Sequence, residues 1–334
     1  MGTFWNGTYM NKPFLLSPAG KDYLWGGSRL KEEFNKKIDL EPLAETWECS
    51  VHPDGLSTVT GGEYDGKSLQ SVLAGHPEYL GSRIGQNDEF PLLVKLIDSG
   101  RDLSIQVHPD DEYAFEKENG QRGKTEMWYI LDAASDATIV FGFNNDCTKE
   151  MIRNAVEDKT IMNYLQKVKV KKGDVFFVKP GTVHAIGKGC VIAEIQENSN
   201  LTYRLFDYDR IDKNGLKREL HLDKALDVIK LTCEQNPKQP LRVLRYKKGM
   251  ATEFLVRCKY FEIHRILLNA TINDNVTAQS DELSFRILLC VDGEGSLSFD
   301  NEEIRFSKGQ CIFVPAESTA LRLCGKAELI DVRG

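Results

Sequence analysis

Gln106 and His108 stand two residues apart in Leu103-Ser104-Ile105-Gln106-Val107-His108-Pro109-Asp110. On an extended strand, residues i and i+2 project to the same side, so an amide and an imidazole point together. Two more donors follow. Glu126 comes after Lys124-Thr125, and His184 ends Pro180-Gly181-Thr182-Val183-His184. One carboxylate, one amide oxygen and two imidazoles form a four-ligand set for zinc and leave the bound ion net positive. No thiolate quenches such an ion. It would act as a Lewis acid suited to chemistry on sugar oxygens.

The elements that must carry these donors read as strands. Residues 91–97, 103–107, 126–131, 138–143, 175–178 and 191–195 are short, apolar and rich in β-branched or aromatic residues, with turn residues between them. Such spacing suits an antiparallel sandwich or barrel. The C-terminal part repeats the pattern at 261–267, 285–291, 296–299, 311–314 and 327–332. Helical spacing of apolar residues marks 149–166, with Thr148 as its N-cap, and 221–231. Residues 30–37 and 68–80 read as short helices between turns. The expected fold is mainly β with a few helices, in two barrels divided as 1–235 and 236–334.

An internal repeat supports that division. Lys172-Gly173-Asp174-Val175-Phe176-Phe177-Val178-Lys179-Pro180 parallels Lys308-Gly309-Gln310-Cys311-Ile312-Phe313-Val314-Pro315, one residue shorter. Counting on from each proline places Thr319 opposite His184. The second copy is therefore expected to keep the strands, lack the metal, and pack against the first.

Composition bounds the partners. The 334 residues carry 41% apolar and 28% charged residues, ordinary for a soluble globular chain. A formal net charge of −7 argues against a general nucleic-acid binder, which needs clustered Lys and Arg. The eight cysteines lie far apart without a Cys-x-x-Cys pair, as in a reducing cytoplasm. No basic-then-apolar leader opens the chain, and no apolar run approaches the ~20 residues that span a bilayer. A cytoplasmic protein is expected, a monomer or weak homodimer, with no membrane and no nucleic acid as partner.

Pro91-Leu92-Leu93-Val94-Lys95, the Ser104–Asp110 string, Lys124-Thr125-Glu126-Met127, Pro180-Gly181-Thr182-Val183-His184-Ala185, and Glu194 with Arg204 ten residues later resemble the type I mannose-6-phosphate isomerases. These belong to the cupin superfamily of jelly-roll barrels, and the likeness is to their short bacterial form. The Ser-Ile-Gln-Val-His-Pro-Asp string is specific, whereas Pro-Gly-x-x-His turns occur in cupins of many functions. The resemblance implies two cupin-like barrels and a zinc aldose–ketose isomerase acting on a sugar phosphate. It places one Zn2+ per chain on Gln106, His108, Glu126 and His184. Long members carry an extra helical domain and a different segment after the arginine. Here 205–218 takes that place, so phosphate-binding residues do not carry over.

His52 shares the His-Pro-Asp context of His108 but lacks the other donors, so it reads as a loop residue. Glu126 opens an apolar strand, where a carboxylate is costly unless paired. Lys124 could be its partner, or on the metal reading point toward substrate with Ser104. Exchange of a proton between C1 and C2 through an enediol needs a base and an oxyanion partner. Glu194 is the first candidate base, on the expectation that burial raises its pKa, and Lys95 is the second. Arg204 or Lys124 could share the oxyanion charge. Arg101, Lys124, Lys217 and Arg218 are available for a phosphate. Competing readings are an iron cupin dioxygenase, which Gln106 in place of a histidine disfavours, and a non-catalytic sugar-binding cupin, which needs no inward Glu194, Arg204 or Lys95.

Overall fold

A computed structural model describes residues 11–84, 89–212, 215–233, 235–239 and 242–334. The N-terminal residues read above for a leader fall partly in 1–10, outside that range. The chain forms two compact units, Pro18–Leu56 with Pro91–Leu241, and Met1–Ser17 with Ser57–Phe90 and Arg242–Gly334. The second unit thus draws in N-terminal segments that the expected division at 235 left with the first. The reason is strand pairing: Phe14–Ser17 lies antiparallel to Cys311–Val314 and to Thr58–Thr60.

The first unit is built from two antiparallel sheets. Six strands run in the order Val175–Val178, Glu126–Ala133, Cys190–Glu197, Leu92–Asp98, Glu45–Cys49, Ala19–Lys21. Five run in the order Tyr203–Phe206, Ile105–Val107, His184–Ile186, Thr138–Phe143, Leu165–Lys169. Their facing sides share one apolar cluster, with Ile97, Trp128, Phe176 and Ile192 from the first sheet and Ile139, Phe141 and Ile186 from the second. Cys190–Glu197 and Leu92–Asp98 have neighbours on both edges and are buried along their whole length. That explains their near-continuous apolar sequence.

The second unit is a single nine-stranded sheet around its own apolar cluster, which includes Ile266, Leu288, Leu297, Phe306, Ile312 and Leu329. The internal repeat is structural. Val175–Val178 and Cys311–Val314 each follow a tight turn whose glycine is left-handed, Gly173 at φ 88° and Gly309 at φ 91°. The expected fold class therefore holds: mainly β, jelly-roll in character, with five short helices among the described residues.

Several elements differ from their expected bounds, each for a local reason. The helix after Thr148 spans only Lys149–Glu157, with the Thr148 hydroxyl accepting from Met151 N–H at 3.2 Å. It ends before Lys159, which is left-handed at φ 58°. The tail Leu165–Lys169 becomes a strand because it pairs with Thr138–Phe143. The 68–80 stretch splits into Leu69–Gly75 and the 3-10 turn Pro77–Leu80, because the residue before a proline avoids helical φ and ψ. The two strands 285–291 and 296–299 fuse into Arg286–Phe299. Gly293 looks like a turn residue there, but a Cβ on it would meet Lys326 O of the paired strand at 2.1 Å.

Candidate active site

Two cross-strand rows build the site. In an antiparallel ladder, residues in register share a face. On the five-stranded sheet, Gln106 lies opposite Arg204 on one side and His184 on the other. On the six-stranded sheet, Lys95 lies opposite Trp47 and Glu194, and Glu194 lies opposite Trp128. Glu126 begins its strand one step away, in register with Gln196. His108 sits just past the end of Ile105–Val107, as the i, i+2 spacing from Gln106 required.

His108, Glu126 and His184 are almost completely buried, at 1%, 0% and 0% exposure. Their ligand atoms lie within 4.8 Å of one another, the one group among the described residues able to hold a metal through His, Cys or acidic side chains. His108 Nδ1 donates to Leu201 O and His184 Nδ1 donates to Thr182 O, both at 2.9 Å. A carbonyl oxygen can only accept, so each ring keeps its proton on Nδ1 and bares Nε2. The two bare Nε2 atoms face each other at 3.1 Å. Glu126 oxygens lie 3.3 Å from His184 Nε2 and 3.6 Å from His108 Nε2. Lone pairs and a carboxylate gathered this closely in a dry interior repel unless a cation sits among them. Four donors at about 2.0–2.1 Å around a tetrahedral ion stand roughly 3.3–3.4 Å apart. The observed separations fit that figure.

Gln106 stands beside this group. Its side-chain amide reaches His184 Nε2 at 3.3 Å. Turning the amide over presents Oε1 to the same point without changing the side chain's shape. Ser104 Oγ lies 3.5 Å from Gln106 Oε1 and is buried beside it.

A cavity of about 200 Å³ opens beside this group, lined by Ser104, Gln106, Lys124, Glu194, Lys95 and Arg204 among others. That volume suits a small ligand rather than a drug-sized one. Lys124 reaches Glu126 Oε2 at 3.1 Å while also lining the cavity, so the two roles weighed for it coexist. Lys95 stands 3.2 Å from Glu194 and 3.8 Å from Glu45, over the Trp47 ring at 5.1 Å. Trp128 Nε1–H donates to Glu194 Oε2 at 2.9 Å.

Burial is the largest influence on every ionisable group here, and neighbours decide where it is overruled. It pushes Glu126 up to about 7, His184 down to about 4, and His108 well below the ordinary imidazole range. Burial also acts to raise Glu194, but Lys95 and Lys124 outweigh it and hold the carboxyl below its ordinary value. The rise expected for Glu194 is thus reversed. Lys95 is held protonated by Glu45 and Glu194 against its own burial. It offers a cation, not a resting base.

Arg204 is half-buried. Its Nη1 donates to Glu219 O at 2.9 Å, while its Nε is buried without a hydrogen-bond partner. Of the four cations read as available for phosphate, Lys124 and Arg218 line the cavity. Lys217 is engaged elsewhere, with Asp209 at 2.7 Å, and Arg101 is outside the lining. His52 lies in its turn with Nδ1 3.2 Å from Asp54 N, apart from the metal-capable group.

Sequence reasoning missed Glu45, Trp47 and Trp128 as parts of the site. Trp47 Nε1–H donates to Glu45 Oε2 at 2.7 Å, which aims that carboxylate at Lys95. The fully buried strand Glu45–Cys49 carries two glutamates, which hid it from any apolar pattern. Its signal was the aromatic Trp47 between them.

Residues 14–125 match the family described as phosphomannose isomerase type I, catalytic domain, and residues 250–333 match mannose-6-phosphate isomerase, cupin domain. The chain is 38% identical over 322 residues to mannose-6-phosphate isomerase ManA of Bacillus subtilis, covering 96% of this chain and 98% of that protein. It is 35% identical over 321 residues to the mannose-6-phosphate isomerase of Streptococcus mutans, covering 96% and 98%. The crystal structure of a mannose 6-phosphate isomerase from Bacillus subtilis has the same fold, with a TM-score of 0.87 at 35% identity, covering 96% of this chain and 99% of that one.

Proposed function

The chain belongs to the type I mannose-6-phosphate isomerases, and from that premise we propose a division of labour among its site residues. It is an aldose–ketose isomerase that interconverts mannose 6-phosphate and fructose 6-phosphate. Its His108, Glu126 and His184 form a site able to hold a metal.

We assign that site to one zinc ion per chain, held by Gln106, His108, Glu126 and His184. A single observation carries this reading: two bare Nε2 atoms 3.1 Å apart, buried against a carboxylate. Nitrogen and oxygen donors without thiolate suit zinc. When bound, the ion supplies Lewis acidity toward the oxygens at C1 and C2 of the sugar.

The protein's own groups do the rest. Glu194, ionised and in the cavity wall, takes the proton from one carbon and returns it to the other, while the hydroxyl proton passes between the C2 and C1 oxygens. Trp128 and Lys95 fix the two oxygens of that carboxylate, so its orientation costs nothing at the moment of reaction. Lys95, held protonated, and Arg204, with an unpartnered Nε, share the oxyanion charge of the enediolate. Lys124 and Ser104 orient the sugar hydroxyls. Around the site, Glu45, Glu126 and Glu194 balance Lys95, Lys124 and Arg204, and Asp207 pairs with Arg218. The protein is assigned to the cytoplasm, as a monomer or weak homodimer.

A coupled isomerase assay on mannose 6-phosphate, before and after chelation, tests the reading together with elemental analysis. Activity lost with chelator and restored by zinc supports it. Full activity in metal-free protein overturns it.

A further inference from the structure

The segment 196–201, which leaves the strand ending at Glu197, touches both sides of the metal-capable group without belonging to it. Leu201 O accepts from His108 Nδ1 at 2.9 Å. Ser199 Oγ donates to Arg122 O at 3.0 Å and accepts from Leu201 N at 3.3 Å. Gln196 Nε2 donates to Glu197 O at 2.9 Å and also to Ser199 O, so the turn is tied by its own side chain.

Glu197 makes the closest bond to the segment that carries Glu126. Its Oε1 accepts from Thr125 N at 2.7 Å, and its own N–H donates to Thr125 O at 3.1 Å. One residue therefore holds both polar groups of the Thr125 backbone. Thr125 lies between Lys124 and Glu126, whose side chains meet at the site. Glu197 is 1% exposed, and its Oε2 is buried with no donor from the protein. Asp111 is a second influence on this carboxyl. Burial and then Asp111 push Glu197 up to about 8. Asp111 Oδ1 in turn accepts from Gly123 N at 3.0 Å. A pair of carboxyl side chains thus secures the irregular segment just before the strand Glu126–Ala133.

We propose that Glu197 is a positioning residue of the isomerase, fixing the 123–126 segment so that Glu126 meets His108 and His184 at ligating distance, with Lys124 held beside it. The inference rests on the reading of His108, Glu126 and His184 as metal ligands. Residues behind a metal ligand set its orientation, and their loss typically costs 10–100-fold in metal affinity or activity. The first residue of a strand frays easily unless the chain before it is anchored. Glu197 does not line the cavity, so it acts on the site only through the backbone it holds.

The test compares Glu197→Ala, Glu197→Asp and Glu197→Gln in the full chain. Alanine leaves the Thr125 N–H without its acceptor, and aspartate is one methylene too short to reach it. Glutamine keeps an Oε1 for Thr125 N–H on a side chain of the same length. Zinc affinity is read by competition with a chromophoric chelator, and kcat and KM by the coupled assay. The Ala and Asp variants are expected to bind zinc roughly 10–100-fold more weakly. Their kcat should fall with KM little changed, and Glu197→Gln should restore both affinity and kcat. If Glu197→Ala does not fold, Glu197→Asp carries the comparison. Wild-type zinc affinity in a folded Ala or Asp variant overturns the proposal, and so does a Gln variant as impaired as Ala. His184→Ala measured alongside separates the two claims. Zinc retained there means the ligand reading itself fails. Zinc lost there but kept in the Ala and Asp variants removes only the role of Glu197.

Discussion

Glu194→Gln is the sharpest perturbation of the proposed chemistry, because it keeps the shape of the side chain and removes its ability to accept a proton. In the native site, Oε2 accepts from Trp128 Nε1–H at 2.9 Å and Oε1 faces Lys95 at 3.2 Å. Glutamine retains the Trp128 bond through its carbonyl, but its amino group then faces an ammonium. Removing one partner of a buried ion pair typically costs about 3–5 kcal/mol. Here Lys95 keeps Glu45 at 3.8 Å and the Trp47 ring at 5.1 Å, so the loss should fall below that range. In a unit of this size each kcal/mol lowers Tm by about 2–4 °C, so the variant should stay folded at assay temperature. Loss of a general base lowers turnover by roughly 10²–10⁴-fold. Each factor of ten corresponds to about 1.36 kcal/mol of barrier. Lys95 and Lys124 hold Glu194 below its ordinary pKa, which makes it a modest base, and the expected loss lies in the lower half of that span. Zinc content should be unchanged. Exchange of the C2 hydrogen with solvent deuterium, followed by NMR, should fall in step with kcat. Wild-type exchange in folded, metal-loaded Glu194→Gln would remove Glu194 as the base.

Three further outcomes follow from the same geometry. His108→Ala and His184→Ala should each lose zinc and activity together, with total metal in the wild type near one per chain by elemental analysis; full metal content in either variant would overturn the ligand assignment. Arg204→Ala should lower kcat on mannose 6-phosphate while leaving metal content intact, since Arg204 lines the cavity with an unpartnered Nε and is not among the metal-capable group; an unchanged kcat would remove it from the oxyanion role. Asp331 is fully buried, and although burial acts to raise its pKa, Arg286 at 2.8 Å and Arg333 at 3.1 Å hold it below the ordinary value. A depressed carboxyl stabilises the fold above its unfolded pKa of about 3.9 and loses that contribution as pH falls through the folded value. Denaturant titrations should therefore show Asp331→Asn destabilised at neutral pH and flatter than wild type below about pH 4.

Much of the site was legible because its donors are rare residue types in special contexts. A Gln and a His at i, i+2 can only share a face if the chain is extended, and Ile105–Val107 is extended. Four-residue strands bounded by a left-handed glycine, as at Gly173 and Gly309, appear in sequence with their true ends. The strand Glu45–Cys49 did not announce itself, because its glutamates are buried by partners distant in sequence, Lys36 for Glu48 and Lys95 for Glu45. The helix bound at Glu157 was missed because apolar residues at 161 and 165 continue a helical period by coincidence while serving a 3-10 turn and a strand.

Sequence alone determined which donor-bearing residue types stand at 106, 108, 126 and 184, the alternation that makes the chain mainly β, and the threonine at 319 where the first copy of the repeat has His184; Thr319 donates to Asp300 at 2.9 Å. These depend on residue identity and on spacing along one strand. Tertiary structure decided the state of each group. The sign of the Glu194 shift turns on Lys95, nearly a hundred residues earlier, being its partner in register. The bare Nε2 atoms follow from two backbone carbonyls, at Leu201 and Thr182, that no side-chain pattern encodes. Strand pairing also assigned Phe14–Ser17 to the C-terminal sheet. Electrostatics falls off with distance in space, not in sequence, so charge states were settled only once the strands had chosen their neighbours.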